Sequence, residues 1–178
     1  MSQYDVVIIG GGLVGGLTAL LLAQGGVQAT VLDAAPILDA DRVLAEPNPR
    51  VLALSHATMH LLQKVGVWEL LARHMPYTGM QVWNQNGYGE ISFGQTSASF
   101  PIAEQWLGSM VEPSVLNLAI QQKMQQQIQD YRTQVRVADL QQLPQGWQIT
   151  LADGEMLQAK LVIGADGANS FVREQAFI

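Results

Sequence analysis

Residues 6–33 read VVIIGGGLVGGLTALLLAQGGVQATVLD, and this stretch decides the fold class. The apolar run at residues 6–9 predicts a short strand that is buried on both faces. A G-x-G-x-x-G turn follows, and the apolar segment Leu13–Gln24 has the composition of a helix. Residues 28–32 predict a second strand, with Asp33 at its end. The order strand, glycine turn, helix, strand predicts an α/β fold.

Each glycine of this turn has a separate physical role. Gly10 permits the tight turn out of the strand, Gly12 lets the backbone approach a pyrophosphate, and Gly15 lets the helix pack closely on the strand. Leu13 and Val14 begin the helix, so we expect their main chain to contact the cofactor at the positive end of the helix dipole. The spacing therefore predicts a dinucleotide-binding site.

The acid at the end of the second strand sharpens this prediction. A carboxylate at Asp33 can accept hydrogen bonds from the hydroxyl groups of a ribose. An acidic rather than a basic residue at this position favours a free 2′-hydroxyl, and hence FAD or NAD over NADP. The competing interpretation is a glycine-rich turn in some other α/β fold.

The composition sets limits on the function. The chain has 178 residues, of which 48% are hydrophobic and 13% charged, which suits a globular protein with a buried core. A net charge of −6 argues against a nucleic-acid partner, because such partners need a basic face. The absence of cysteine excludes disulfides and thiolate metal sites, and three histidines leave little for a metal, so none is predicted. The uncharged run at residues 6–27 is long enough to cross a bilayer, but its clustered glycines favour the dinucleotide interpretation.

The rest of the chain divides into three parts. Residues 34–49 have the composition of a loop, and the sequence around Asn86-Gly87 predicts a hairpin. A long helix is predicted from Pro113, and strands at residues 135–137, 147–151 and 156–164. A hairpin has no place inside an α/β crossover, so we predict that it interrupts the cofactor-binding domain. The chain then consists of a first cofactor-binding segment (1–75), a hairpin portion of a substrate domain (76–107) and a second cofactor-binding segment (108–178).

These features together resemble the FAD-dependent aromatic hydroxylases, the class A flavoprotein monooxygenases. The segment LVIGADGANSFVR (161–173) is similar to the second fingerprint of that family, in which an Asp-Gly pair lies between a buried strand and a helix. Four further segments resemble the ubiquinone-biosynthesis hydroxylases within this class. They are PRVLALSHAT (49–58), VGVW (65–68), GMQVWNQNGYGEISF (79–93) and MVEPSVL (110–116).

The resemblance implies a Rossmann-like FAD/NAD(P)-binding fold with an inserted hairpin portion of a substrate domain. It implies FAD as cofactor, NAD(P)H as co-substrate, and hydroxylation of the aromatic ring of a polyprenyl phenol or quinol. In such enzymes the protein positions the reactants and excludes water, so no catalytic side chain is assigned. A cytoplasmic protein that meets the membrane peripherally, through its substrate, is the corresponding expectation.

The resemblance also adds three residues to the predicted cofactor site. Arg50 corresponds to an arginine at the flavin, although a surface charge would look the same in the sequence. Val137 is expected to contact adenine through its backbone, with an ordinary strand residue as the alternative. Asp166 corresponds to the Asp of the second fingerprint, and a helix-capping turn is its alternative. Arg173 is expected to brace that turn by an ion pair.

Two wider alternatives stay open at this point. The scaffold would also suit another FAD- or NAD-dependent enzyme, such as an oxidase or a reductase, or a carrier or scaffold protein without enzymatic activity. The third family fingerprint, a Gly-Asp pair, is absent from the 178 residues. We therefore expect the chain to be an incomplete hydroxylase that is inactive by itself, binds FAD weakly or not at all, and self-associates through an exposed apolar edge.

Overall fold

A computed structural model describes residues 2–94 and 106–176. The strands are, in chain order, β1 (Ser2–Ile9), β2 (Ala29–Leu32), β3 (Leu52–Ser55), β4 (Met75–Tyr77), β5 (Gly79–Trp83), β6 (Glu90–Gly94), β7 (Gly108–Val111), β8 (Tyr131–Arg132), β9 (Val137–Leu143), β10 (Gly146–Leu151) and β11 (Met156–Gly164). The helices are α1 (Leu13–Gln24), α2 (Ala40–Ala45), α3 (His56–Lys64), α4 (Pro113–Gln127) and α5 (Phe171–Gln175), with a 3₁₀ turn at Trp68–Leu70.

The main sheet has six strands in the order β8-β2-β1-β11-β10-β9. The first four of these are parallel, and β10 and β9 follow as an antiparallel meander at the edge. In the centre, Val6 of β1 lies between Ala29 of β2 and Leu161 of β11. The predicted α/β fold with a Rossmann-like parallel sheet is confirmed, and the carboxyl ends of β1, β2 and β11 meet at one edge.

The strand β1 has a core on each of its faces. Ile8 faces α1 and α4, where it packs in one cluster with Leu20 and Ile120. Val7 faces the opposite side and belongs to a second cluster that includes Ile149. Ile8 and Val7 are both fully buried, which explains why this strand is a continuous apolar run rather than an alternating one.

Two smaller sheets interrupt the α/β unit. The strands β3, β7 and β4 form an antiparallel sheet in the order β3-β7-β4. The strands β5 and β6 pair with each other and with no other strand in the described ranges, and Val82 faces Ile91 across the hairpin. The strand pairing of the hairpin thus does not join it to the main sheet. Its assignment to a substrate domain over residues 76–107 stays a prediction, and residues 95–105 lie outside the described part.

Two local predictions were wrong. The segment 34–49 contains the short helix α2, because the carboxylate of Asp39 accepts a hydrogen bond from the amide of Arg42 and caps the first turn. The strand predicted at residues 135–137 begins only at Val137 and continues to Leu143. The amide of Val135 instead donates to the carbonyl of Asp33, which binds this residue to the end of β2.

The uncharged run at residues 6–27 folds as β1, the glycine turn and α1. Within the ranges 2–94 and 106–176, the structure contains no helix of the length and apolarity needed to cross a membrane.

Candidate dinucleotide-binding site

The glycine turn connects β1 to α1 at the carboxyl edge of the main sheet. Gly10 has a φ of +100°, a conformation that side chains strongly disfavour, and its amide donates to the carbonyl of Leu32. A Cβ atom on Gly10 would lie 2.4 Å from the carbonyl oxygen of Ala165. Gly10 therefore brings the end of β1 against the turn that follows β11.

The other two fingerprint glycines have opposite surroundings. A Cβ atom on Gly15 would lie 1.9 Å from the carbonyl oxygen of Gly10, so the helix α1 can approach β1 this closely only with glycine at this position. A Cβ atom on Gly12 would meet nothing within 4 Å. Gly15 is thus required by the fold, whereas Gly12 borders open space in which a ligand has room.

The first turn of α1 is open to a ligand as well. Gly12 is the N-cap residue, and no side chain accepts a hydrogen bond from the first amides of the helix within the described ranges. The N–H groups of the first turn, among them those of Leu13 and Val14, have no acceptor inside the helix. The side chain of Val14 is 72% exposed, so nothing covers this end of the helix there. Free amides at the positive end of a helix dipole are suited to an anionic phosphate.

Asp33 lies beside this turn, as the sequence predicted. Its Oδ2 accepts a hydrogen bond from the amide of Gly11 at 3.1 Å, and its Oδ1 accepts one from the amide of Ala35 at 2.9 Å. A carboxylate oxygen can accept more than one hydrogen bond, so Asp33 retains lone pairs for the hydroxyls of a ribose.

Tyr131 is a neighbour of this acid that the sequence did not reveal. Its hydroxyl is buried and has no hydrogen-bond partner among the described residues. Burial, together with the charge of Asp33, raises the pKa of Tyr131 to about 12. The phenol therefore stays protonated at neutral pH. The next residue, Arg132, anchors β8 through hydrogen bonds to Asp130, Glu155 and the hydroxyl of Tyr4.

The second fingerprint forms the turn between β11 and α5. The amide of Val172 donates to Oδ2 of Asp166 at 3.1 Å, and the hydroxyl of Ser170 donates to its Oδ1. Partial burial by itself would raise the pKa of Asp166, but these hydrogen bonds outweigh it and hold the pKa below its ordinary value. Asp166 thus stabilises the start of α5, and its contact with a cofactor stays a prediction. Arg173 braces the turn through the carbonyl of Ala168 rather than through the expected ion pair.

Asp166 and Gly10 are close to each other in the structure. A Cβ atom on Gly10 would lie 2.8 Å from the amide nitrogen of Asp166. The two fingerprints, which are far apart in the sequence, therefore meet at the ends of the adjacent parallel strands β1 and β11. This is the edge at which ligands of open α/β sheets bind.

Two predicted site residues are less closely engaged. Arg50 lies in the exposed connection between α2 and β3, where its amide donates to the side chain of Asn48. Val137 begins the edge strand β9 and pairs with Leu151. In this segment it is Val135, two positions before Val137, that donates a hydrogen bond to Asp33. The roles predicted for Arg50 and Val137 therefore stay predictions.

An ion pair holds the segment before Arg50 in place. The Nε of Arg73 lies 2.6 Å from Oε1 of Glu112, and its Nη1 donates to the carbonyl of Leu44. The amide of Asn48 donates to Oε2 of Glu112 at 2.6 Å. The hydrogen bonds from Arg73 and Asn48 lower the pKa of Glu112. No sequence pattern would have paired these residues, because they come from three separate segments.

A cleft lies between this segment and the start of α4. Its volume is about 640 Å³, and Pro36, Arg42, Asn48 and Ser114 are among the residues that line it. The hydroxyl of Ser114 is buried without a hydrogen-bond partner in the described part of the chain. The cleft is thus a second place where a ligand has room; its lining is mostly apolar, and Arg42, Asn48 and Ser114 supply polar groups.

The sequence model of the family described as FAD binding domain matches residues 3–178. The chain therefore belongs to this family of FAD-binding proteins. The geometry agrees with that membership, because the open space at Gly12, the free amides of α1 and the carboxylate of Asp33 provide what a dinucleotide needs.

Curated relatives narrow the comparison. The chain is 36% identical over 180 residues to the 3-demethoxyubiquinol 3-hydroxylase of Escherichia coli (strain K12), covering 98% of this chain and 44% of that protein. It is 34% identical to the ubiquinone hydroxylase UbiL of Rhodospirillum rubrum, covering 98% of this chain and 39% of that protein. The chain thus spans less than half the length of these relatives.

Solved structures of flavin enzymes share the fold. The p-nitrophenol 4-monooxygenase PnpA of Pseudomonas putida superimposes with a TM-score of 0.74 at 23% identity, covering 99% of this chain and 44% of that one. PqsL of P. aeruginosa in complex with 2-aminobenzoylacetate also gives a TM-score of 0.74, at 21% identity, with 99% and 46% covered. At these identities the likeness concerns the fold alone.

Proposed function

We propose that this chain is the FAD-binding portion of a monooxygenase that hydroxylates the aromatic ring of a polyprenyl phenol or quinol in ubiquinone biosynthesis. The observation that carries the proposal is the opposite environment of Gly12 and Gly15. The fold needs glycine at position 15, whereas at position 12 the described chain leaves open space, which supports a pyrophosphate there. The ubiquinone hydroxylases among the relatives supply the class of substrate.

In this proposal the chain's residues hold and orient the cofactor. The amides of Gly12, Leu13 and Val14 bind the pyrophosphate, and Asp33 accepts hydrogen bonds from the adenosine ribose. FAD, when bound, takes electrons from NAD(P)H and activates O₂ for transfer to the ring. The glycines at positions 10 and 15 keep β1 and α1 close enough for this geometry.

The remaining predicted residues take supporting roles in the proposal. Arg50 approaches the flavin from the segment that Arg73 and Glu112 hold in place. Val137 contacts the adenine through its backbone. Asp166 orders the turn that Gly10 contacts and reaches the cofactor from the side of β11.

The finer parts of the proposal concern the chain by itself. Since its relatives are more than twice as long, we expect the 178 residues alone to bind FAD weakly and to show no NAD(P)H-coupled hydroxylation. The exposed apolar side chains of the β5–β6 hairpin favour self-association of the isolated chain. Contact with a membrane is expected to be peripheral and to occur through the prenylated substrate.

A two-stage experiment tests the proposal. FAD is first titrated into the purified chain while flavin fluorescence is recorded, and binding excludes a carrier that has lost the flavin. The coding sequence, with any flanking reading frame, is then expressed in an E. coli strain that lacks its 3-demethoxyubiquinol 3-hydroxylase. Restored ubiquinone, measured by mass spectrometry, is expected when the flanking frame supplies the remaining length of the relatives, and none is expected from the 178 residues alone. A protein that binds FAD but restores no ubiquinone in hosts lacking each of the pathway's ring hydroxylases would instead be another type of flavin oxidoreductase.

A further inference from the structure

The carboxylate of Asp33 joins two segments that both border the cofactor site. Its Oδ2 accepts a hydrogen bond from the amide of Gly11, in the glycine turn, and its Oδ1 accepts one from the amide of Ala35, in the loop after β2. The backbone of Asp33 is hydrogen-bonded as well. Its amide donates to the carbonyl of Arg132, and its carbonyl accepts a hydrogen bond from the amide of Val135. Asp33 thus makes hydrogen bonds to the glycine turn, to β8 and to the loop after β2 through both its side chain and its backbone.

Gly11 is packed against this carboxylate. A Cβ atom on Gly11 would lie 2.8 Å from Oδ2 of Asp33 and 3.2 Å from Cε2 of Tyr131. Position 11 is a variable position of the G-x-G-x-x-G pattern, so the pattern itself does not require glycine there. The structure gives a reason for glycine in this chain, since a side chain at position 11 would push the carboxylate of Asp33 away from the turn.

We propose that Asp33 is a positioning residue that holds the glycine turn against the end of β2 in the cofactor-free protein. A hydrogen bond from an amide to a carboxylate is stronger than one between neutral groups. It directs the N–H of Gly11 toward Asp33 and leaves the amides of Gly12 and the first turn of α1 to the phosphates. The turn is then ordered in advance, which reduces the entropy that binding costs.

The inference rests on the proposed dinucleotide site for its consequence, but the hydrogen bonds that carry it lie within the protein. It therefore separates two roles of Asp33 that act at different times. A residue that only contacts ribose acts after the cofactor arrives, whereas a residue that holds the turn acts before. Asp33→Glu distinguishes them, because one more methylene group keeps the charge and the reach toward a ribose but moves the oxygens past Gly11 and Ala35.

The test is amide hydrogen exchange, followed by NMR on the chain without FAD. We expect Asp33→Asn and Asp33→Glu each to reduce the protection of the Gly11 and Ala35 amides by about 10- to 100-fold, and to move the amide proton of Gly11 upfield. The amide of Ile8, in the fully buried centre of β1, reports whether the fold is intact and should keep its protection. Asp153→Asn is the matched control, because it removes a carboxylate that accepts the amide of Glu155 in a distant turn.

A second measurement uses the packing of Gly11. Gly11→Ala should weaken FAD binding more in the wild-type background than in the Asp33→Ala background, because its closest contact, with Oδ2 of Asp33, is removed with the carboxylate. Equal effects in both backgrounds would contradict the inference. Unchanged exchange at Gly11 in both Asp33 variants, with only FAD affinity reduced, would also contradict the inference. In that case Asp33 would be a ribose ligand only, and the proposed function would stay intact. Lost protection in a chain that binds no FAD would support the inference and overturn the proposed function.

Discussion

The glycine turn and the β5–β6 hairpin have opposite relations to the rest of the molecule. In the turn, Gly10 and Gly15 are so close to neighbouring backbone that a single added carbon atom would clash. In the hairpin, Val82 and Ile91 face each other across the strands but are 49% and 58% exposed. The turn is packed against neighbouring backbone at Gly10 and Gly15, whereas the apolar face of the hairpin is not covered by the described chain. One region is thus fixed by close packing, and the other presents an open surface.

The glycine turn repeats this contrast on a smaller scale. Gly15 is enclosed by the fold, and Gly12 borders empty space only three residues away. A glycine that packing requires and a glycine that a ligand requires cannot be distinguished in the sequence, because both appear as the letter G in one motif. Substitutions at the two positions separate stability from binding.

The largest effect is expected from Gly15→Ala. The new Cβ atom would lie 1.9 Å from the carbonyl oxygen of Gly10 and 3.0 Å from the Cβ of Ala165, and neither neighbour belongs to a flexible side chain that could move away. We expect the free energy of unfolding to fall by about 3 kcal/mol. Urea unfolding followed by circular dichroism measures it. Gly12→Ala is the control and should cost no more than about 1 kcal/mol, since its Cβ atom meets nothing. Equal losses at both positions would remove the contrast.

Gly12→Val should act on the ligand instead of the fold. A branched side chain at this position fills the space through which a pyrophosphate approaches the amides of α1, so FAD affinity should fall by about 100-fold or more. Fluorescence titration with FAD measures the affinity, and circular dichroism should show an unchanged fold. A variant that keeps wild-type affinity would show that the phosphates do not lie at Gly12.

Asp166→Asn should give a smaller, pH-dependent effect. The pKa of Asp166 in the folded protein lies below its ordinary value of 3.8, so the ionised carboxylate stabilises the fold above that pH and this contribution disappears as the pH falls. We expect the variant to be less stable by about 1 kcal/mol at pH 7 and the difference to shrink toward zero below pH 3.8. Thermal unfolding from pH 7 down to acid measures it, with the exposed Asp139→Asn as control. A difference independent of pH would mean that the charge of Asp166 is not what stabilises α5.

The smallest effect is expected in the hairpin. Ile91→Val removes one methyl group from an exposed side chain and should change the free energy of unfolding by less than about 0.5 kcal/mol. The same change at the fully buried Ile8 should cost about 1 kcal/mol. Both are measured by urea unfolding at two protein concentrations. If Ile91→Val lowered the free energy of unfolding as much as Ile8→Val does, and more so at the higher protein concentration, a second copy of the chain would cover the hairpin.

Much of the parallel unit could be predicted because its signals are local. The strand before Gly10, the helix from Leu13, and the strand that ends at Gly164 all appear where the apolar runs and the glycines indicate them. The helix from Pro113 begins at that residue for the same reason. The short helix α2 was missed because only six residues support it, and its capping residue, Asp39, is of a type equally common in loops.

The site was predicted less completely than the fold. Gly10, Gly12, Gly15 and Asp33 lie together as their spacing indicated, and Asp166 joins them across β1 and β11. Tyr131 was missed because nothing in its own segment indicates that its ring packs beside Gly11. Gly16 was likewise outside the motif, yet a Cβ atom there would lie 2.4 Å from Ile120 and separate α1 from α4.

The amino-acid order alone specified the strand–turn–helix–strand unit and predicted a phosphate site at its turn, because hydrophobic period, glycine freedom and helix polarity act within a few residues. The contacts between segments were decided only when the chain folded. The bond from Gly11 to Asp33, the pairing of Arg73 with Glu112, and the meeting of Gly10 with Ala165 each join residues that are distant in sequence. Such contacts depend on how the strands order themselves in the sheet, and that order results from the packing of the whole core rather than from any one segment.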